Sequence, residues 1–250
     1  MISNTIFSTC GGRLCNQIII NCVSSIVAEK HNLKFIYSNI KECHDKIKKL
    51  GIKLFETGTV VHNNFIYLND DEMIKFMNEL EIKTNFIPNG FMQNDFFAKK
   101  LREYFNRNDV KIQIMETNIH KKRYANNNDV IVCVRLDDVN FRSPSFEYFD
   151  MVLQNLVFEN GFITSDEINH PICVKLIEKY KLTPFLKDEI ETIMFASTCK
   201  TIVLSAGTFN WMIGVLGFFS KVFYPNHDLR ERWHPKIYEC FEDWTKVDYE

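Results

Sequence analysis

Apolar and amphipathic stretches recur along the chain in a fixed order. Thr5 to Ser8 is short and β-leaning, and a glycine-containing turn follows from Cys10 to Gln17. Ile18 to His31 then sets Ile19, Ile20, Val23, Ile26 and Val27 on one helical face. Leu33 to Tyr37 alternates as a strand does. Strand, glycine turn, helix, strand is the opening of a parallel α/β sheet. Beyond it the spacing predicts helices over Lys41 to Leu50, ended by Gly51, over Asp70 to about Leu80, with an acidic first turn, and over Asp95 to Phe105. Strand character lies in Val60 to Leu68 and Phe86 to Phe91.

Residues 118–129 are polar and include Asn126, Asn127 and Asn128, so the lobe boundary is placed there: 1–125 as one α/β lobe, 126–250 as a second. The second lobe has the sharper pattern. Val130 to Val134 is an unbroken apolar run, as expected of a central parallel strand buried on both faces. Helices are predicted over Phe146 to about Val157, Ile172 to Tyr180, Asp188 to Ala196 and Thr208 to Phe218. Between them come strands at Phe162 to Thr164, Thr201 to Leu204 and Val222 to Tyr224. The alternation is Rossmann-like. The tail, Asp228 to Glu250, is a candidate to return to the first lobe.

Composition narrows the possibilities. Apolar residues make up 46% and charged residues 25% of 250 residues, as in an ordinary globular protein. A net charge of -2 gives no general reason to expect nucleic acid, though a local cationic site can still hold a small anion. The eight cysteines form no Cys-x-x-Cys pair, which favours scattered, reduced, mostly buried thiols. The first ten residues lack a basic, then apolar, leader pattern, and no apolar run approaches the roughly 18 residues of a membrane span. The expectation is a cytoplasmic protein without a transmembrane segment. No metal-ligand spacing is present. Asp70-Asp71 and Asp137-Asp138 are adjacent pairs, and neighbours on a strand point to opposite faces, so no metal is expected.

Four segments in order resemble the motifs of one family. Gly11-Gly12-Arg13-Leu14-Cys15-Asn16-Gln17 resembles the G-G-x-L-G-N-Q turn that opens α-1,2-fucosyltransferases. Asn89 to Phe97 is similar to their G-Y-x-Q-S-x-x-Y-F segment, and Cys133-Val134-Arg135-Leu136-Asp137-Asp138 to their H-x-R-R-G-D motif. Cys199 to Trp211, with Ser205-Ala206-Gly207-Thr208-Phe209 at its centre, resembles C-x-x-x-I-x-S-x-S-T-F-S-W-W. Phe162 to Asp166 matches a short strand ending in Ser-Asp. The resemblance runs from about Thr5 to Tyr224. Departures are Cys15 for a glycine, Cys133 for the histidine, Leu136 for the second arginine and Asp137 for the glycine.

The resemblance implies two Rossmann-like lobes of GT-B type with a cleft between them. It also implies inverting transfer of L-fucose from GDP-fucose to a hydroxyl of a glycan acceptor, with no cofactor beyond the donor. Arg135, a cation at the carboxyl edge of a parallel sheet, suits a diphosphate, and its bland alternative is a surface ion pair with Asp137 or Asp138. Asp138 is the second catalytic candidate, with Asp137 and Glu147 as other possible bases. Gly12, Arg13, Asn16, Asp166, Ser205, Thr208 and Phe209 are the implied donor-binding residues, Asp166 through guanine or ribose. Local alternatives are helix caps at Asn16 and Thr208, a helix-starting acid at Asp166 and a core role for Trp211. Phe91, Phe141, Tyr148, His227 and Trp233 are candidate acceptor walls, with core packing the default for the apolar ones. Two other readings stay open: a transferase using another GDP-6-deoxysugar such as GDP-rhamnose, and a non-catalytic nucleotide- or carbohydrate-binding protein of the same fold.

Overall fold

In the computed structural model, residues 5–8, 12–37, 41–53, 64–79, 84–136, 143–226 and 235–249 are described. The chain divides into two compact units, Met1–Ile114 and Met115–Glu250.

The first unit runs β1 (Thr5–Ser8), α1 (Leu14–His31), β2 (Lys34–Tyr37), α2 (Lys41–Lys49), β3 (Ile66–Leu68), α3 (Asp70–Asn78), β4 (Phe86–Pro88) and α4 (Asp95–Phe105). Its four strands are parallel in the order β2-β1-β4-β3. The order reverses between β1 and β4, so the carboxyl ends of those two strands mark the place where such sheets take ligands. The helix ends follow local chemistry. Asn69 and Glu72 close a reciprocal capping box on α3, Asn94 caps α4 through the Phe97 N–H, and Asn32 ends α1 in the left-handed region at φ 49°.

Helix α5 (Asn108–Thr117) spans the division between the units. No strong apolar period marks it, and the sequence pattern misses it. The second unit continues with β5 (Val130–Val134), α6 (Phe146–Leu153), β6 (Gly161–Ser165), α7 (Pro171–Tyr180) and β7 (Thr183–Pro184). Then come α8 (Glu189–Ala196), β8 (Thr201–Leu204), α9 (Thr208–Leu216), β9 (Lys221–Pro225), α10 (Pro235–Glu239) and β10 (Thr245–Val247). The six strands are parallel in the order β10-β9-β8-β5-β6-β7. In chain order within the unit this is 6-5-4-1-2-3, the Rossmann arrangement, with its switch point between β5 and β8. Every residue of β5 is buried, as its unbroken apolar run requires. The core on one side of it joins Val132 and Val134 to Tyr148, Phe149, Ile163 and Leu176.

The polar stretch 118–129, where the boundary is expected, and the tail are each held by specific bonds within the second unit. The Asn127 amide donates to the carbonyls of Arg123 (2.6 Å) and Thr198 (2.9 Å) and accepts from the N–H groups of Asp129 and Lys200 (both 3.1 Å). Asn118 likewise donates to the Met194 carbonyl at 2.8 Å. Polar composition here serves backbone groups at the amino edge of the sheet, where the ladder ends and side chains complete it. The tail, over residues 235–249, closes the second unit's own sheet: β10 pairs with β9, and the Ile237 carbonyl accepts from the Trp211 indole at 2.9 Å. The cysteines follow expectation. Among the described residues seven are free thiols, six of them buried, and burial pushes Cys22 and Cys199 up to about 12.

Candidate functional site

The parallel ladder of the second unit stops at Val134, which pairs with Ser165, while Cys133 pairs with Leu204. The next residue on the central strand is Arg135, and the polar groups around it are taken up by side chains. Its N–H donates to Ser205 Oγ at 2.8 Å, and its carbonyl accepts from the Ser143 hydroxyl. The following N–H, of Leu136, donates to Asp166 Oδ1 at 2.9 Å. The guanidinium reaches Asp166 Oδ2 through Nη1 at 3.1 Å. Serines and an aspartate thus extend the ladder by one step past the end of β5, and they hold the arginine at the carboxyl edge of the sheet. Both members of the ion pair keep about a fifth of their side-chain surface, 21% for Arg135 and 20% for Asp166.

Ser205 follows the last residue of β8 and is fully buried. Its hydroxyl also accepts from the Asn210 amide at 2.7 Å, and that amide shares its hydrogens with the carbonyls of Cys133 and Ala206. Ser205, expected to line the donor pocket, has its oxygen bracing β5 against β8 and α9. We expect Ser205→Ala to leave the Arg135 N–H without its acceptor and the Asn210 amide with one acceptor fewer, and to cost about 1–3 kcal/mol. Urea unfolding measures this, and a loss below about 0.5 kcal/mol means that neither donor depended on Ser205.

After Ser205 the chain turns through Gly207 at φ 100° and enters α9. Gly207, not Thr208, is the residue before the helix, and it has no side chain with which to cap the first N–H groups. Among the described residues nothing lies within 4 Å of where a Cβ on Gly207 would sit. Thr208 is the first helical residue, and Thr208 and Phe209 are half-buried beside this opening. A helix start carries about half a positive charge, with N–H groups aimed outward along the axis. Trp211, one turn on, belongs to the core. Tyr238 from α10 fixes the turn, its hydroxyl donating to the Gly207 carbonyl at 2.7 Å.

In the first unit the opening turn is built differently from its expected form. Helix α1 starts at Leu14, so Arg13 stands at the cap position and Asn16 is already helical. The Asn16 cap is thereby corrected: its Oδ1 accepts from Gln93 Nε2 at 2.9 Å. That bond joins the turn after β1 to the segment after β4, the two strand ends at this sheet's switch point. Gln17 Nε2 donates back to the Gly12 carbonyl at 2.8 Å. Gly12 takes φ 71°, while Cys15 is an ordinary buried helical residue. The glycine-to-cysteine departure therefore imposes no backbone strain at Cys15. Gly12 and Arg13 are exposed.

Other candidates separate clearly. Asp137, Asp138, Phe141, His227 and Trp233 lie outside the described residues. Glu147 is exposed, and the neighbouring Ser145 side chain shifts its carboxyl below the usual range, which weakens it as a base. Tyr148 is core, its hydroxyl donating to the Leu204 carbonyl at 2.8 Å. Phe91 is exposed. Leu136 packs into the core cluster, so the position of the family's second arginine presents no polar group here. Ser143, Gln93 and Asn210 escaped the sequence reading as parts of the site. Gln93 and Asn210 stand inside quoted motifs, whereas Ser143 carried no signal.

No protein-family model matches the chain, and no curated protein matches it. Among solved structures it is similar to an arginine-to-lysine mutant of Arabidopsis thaliana FUT1 in complex with GDP. The TM-score is 0.57 at 9% identity, covering 89% of this chain and 70% of that one. The class of fold is thus α/β with parallel sheets, of the GT-B glycosyltransferase type. Among the described residues no helix is long and apolar enough to cross a membrane, and no group of three His, Cys, Asp or Glu side chains is placed to hold a metal ion.

Proposed function

We propose that the chain is an inverting glycosyltransferase that moves L-fucose from GDP-fucose to a hydroxyl of a glycan, without a metal ion. The observation that carries this is Arg135 held at the carboxyl end of β5, one strand from the start of α9. In glycosyl transfer the bond between the anomeric carbon and the phosphate oxygen breaks as the acceptor oxygen attacks from the opposite face. Negative charge gathers on the departing diphosphate, and a fixed guanidinium with a helix amino end stabilises that charge as it develops. Such a pair of cationic groups does the work for which other transferases recruit a metal. The GDP in the similar Arabidopsis structure supports a guanine nucleotide as the carrier.

In this reading the second unit takes the donor through Arg135, Thr208 and Phe209, and Gly12, Arg13 and Asn16 keep the donor-binding role that the family resemblance implies. Asp138 is assigned to the catalytic set by its match to the last residue of the arginine motif. Leu136 favours a second reading, in which another GDP-6-deoxysugar such as GDP-rhamnose is the donor, because one cationic contact of the fucosyltransferase motif is replaced by a core side chain.

Calorimetry tests the nucleotide: GDP is expected to bind and UDP to bind at least about tenfold more weakly. Preference for UDP, or no binding of either, overturns the proposal. Hydrolysis of a panel of GDP-sugars, run with and without a chelator, then separates fucose from rhamnose donors and checks that turnover survives metal removal. Nucleotide binding with no turnover on any donor would make the chain a binding protein.

A further inference from the structure

Asp166 was expected to meet guanine or ribose. Its surroundings point to a different task. Oδ2 pairs with the Arg135 guanidinium at 3.1 Å, and Oδ1 accepts the Leu136 N–H at 2.9 Å. One carboxylate thus holds a side chain and the next backbone N–H of the same strand exit. The Arg135 N–H and carbonyl are held by Ser205 and Ser143. Beyond Val134 the strand has left its ladder, so side chains rather than a neighbouring strand hold these groups. An arginine side chain has about 2 kcal/mol of rotamer entropy to lose, and a partner that orients the fork in advance removes part of that cost from ligand binding.

We propose that Asp166 is a positioning residue: it orients the Arg135 guanidinium for the diphosphate and makes no contact with the nucleoside. This rests on the donor-site reading given above. A guanidinium has five N–H donors in one plane, so holding a carboxylate and receiving a phosphate are compatible roles. The charge sign makes the inference sharp. A carboxylate beside a phosphate site repels the phosphate, so removing it would tighten anion binding if orientation contributed nothing.

The test is calorimetry on the full chain with three probes, GDP, inorganic pyrophosphate and guanosine, comparing wild type with Asp166→Asn. The amide oxygen can still accept the Leu136 N–H, while the ionic hold on the guanidinium goes. Expected is about tenfold weaker binding of GDP and of pyrophosphate, with guanosine unchanged. The loss should vanish in an Arg135→Ala background, which a general structural defect would not do. Thermal unfolding of Asp166→Asn close to wild type guards against misfolding, and Asp166→Glu provides a second variant if the asparagine form is unstable.

Tighter pyrophosphate binding in Asp166→Asn overturns the proposal and makes the carboxylate a competitor for the arginine. An equal loss for guanosine overturns it in favour of a nucleoside contact. No change with any probe overturns it as well. Failure of wild type to bind GDP while pyrophosphate still binds through Arg135 removes the nucleotide reading and leaves the positioning role standing. Failure to bind either removes both.

Discussion

Arg135→Ala is expected to weaken GDP binding about a hundredfold, and turnover by at least as much, while the protein stays folded. A hydrogen bond to a charged group contributes about 1.5–3 kcal/mol, and a planar fork can make two to one diphosphate. Each 1.4 kcal/mol is a factor of about ten in affinity. The fold should tolerate the change because the guanidinium is one-fifth exposed and the backbone bonds from Arg135 to Ser205 and Ser143 do not involve its side chain. Arg135→Lys should fall between the two, keeping the charge and losing the fork. Calorimetry with GDP, beside a thermal melt, decides the matter. A dissociation constant within about threefold of wild type would place the guanidinium away from the phosphates and end the donor-site assignment.

The largest effect on stability is expected at Trp211. Its ring is 1% exposed, its N–H donates to the Ile237 carbonyl at 2.9 Å, and it stacks near Phe241 at a centroid distance of 6.2 Å. It therefore ties α9 to the tail. Trp211→Ala removes that packing and strands the carbonyl, at a cost of about 3–5 kcal/mol. A chain of this size should then melt roughly 10 °C lower. Trp211→Phe keeps most of the packing and should cost about 1–2 kcal/mol, mainly the lost hydrogen bond. GDP affinity should decline in Trp211→Ala as well, because the start of α9 is held on one side by α10 through Tyr238 and on its core side by Trp211. A melt unchanged by Trp211→Ala would contradict this account of the tail.

Both expectations depend on elements that were legible to different degrees. Val130 to Val134 and Thr201 to Leu204 were correct to the residue, because a strand buried on both faces leaves an unbroken apolar run that little else imitates. Asp95 to Phe105 was equally clear, its amphipathic period bounded by the Asn94 cap. The short edge strands β7 and β10 left no such trace. Two or three residues with one neighbour carry too little apolar pattern to stand out from a loop. The start of α1 was set four residues late, because the glycines suggested a longer turn than the chain makes.

The site divides along the same line. That a cation would follow a buried strand, and that a small-residue turn would open a helix two segments later, could be read from Arg135 and from Ser205 to Thr208, since both follow from local order along the chain. The partners of that cation could not. Ser143, Asp166 and Ser205 reach Arg135 across separations of 8, 31 and 70 residues. Which of them turns inward to brace the strand and which sits beside the opening depends on strand order and register, and these arise when distant segments pack. Ser205 illustrates the difference: its residue type suited a pocket wall, and only strand order and register, which set the groups that face it, bring the Arg135 N–H and the Asn210 amide to its hydroxyl.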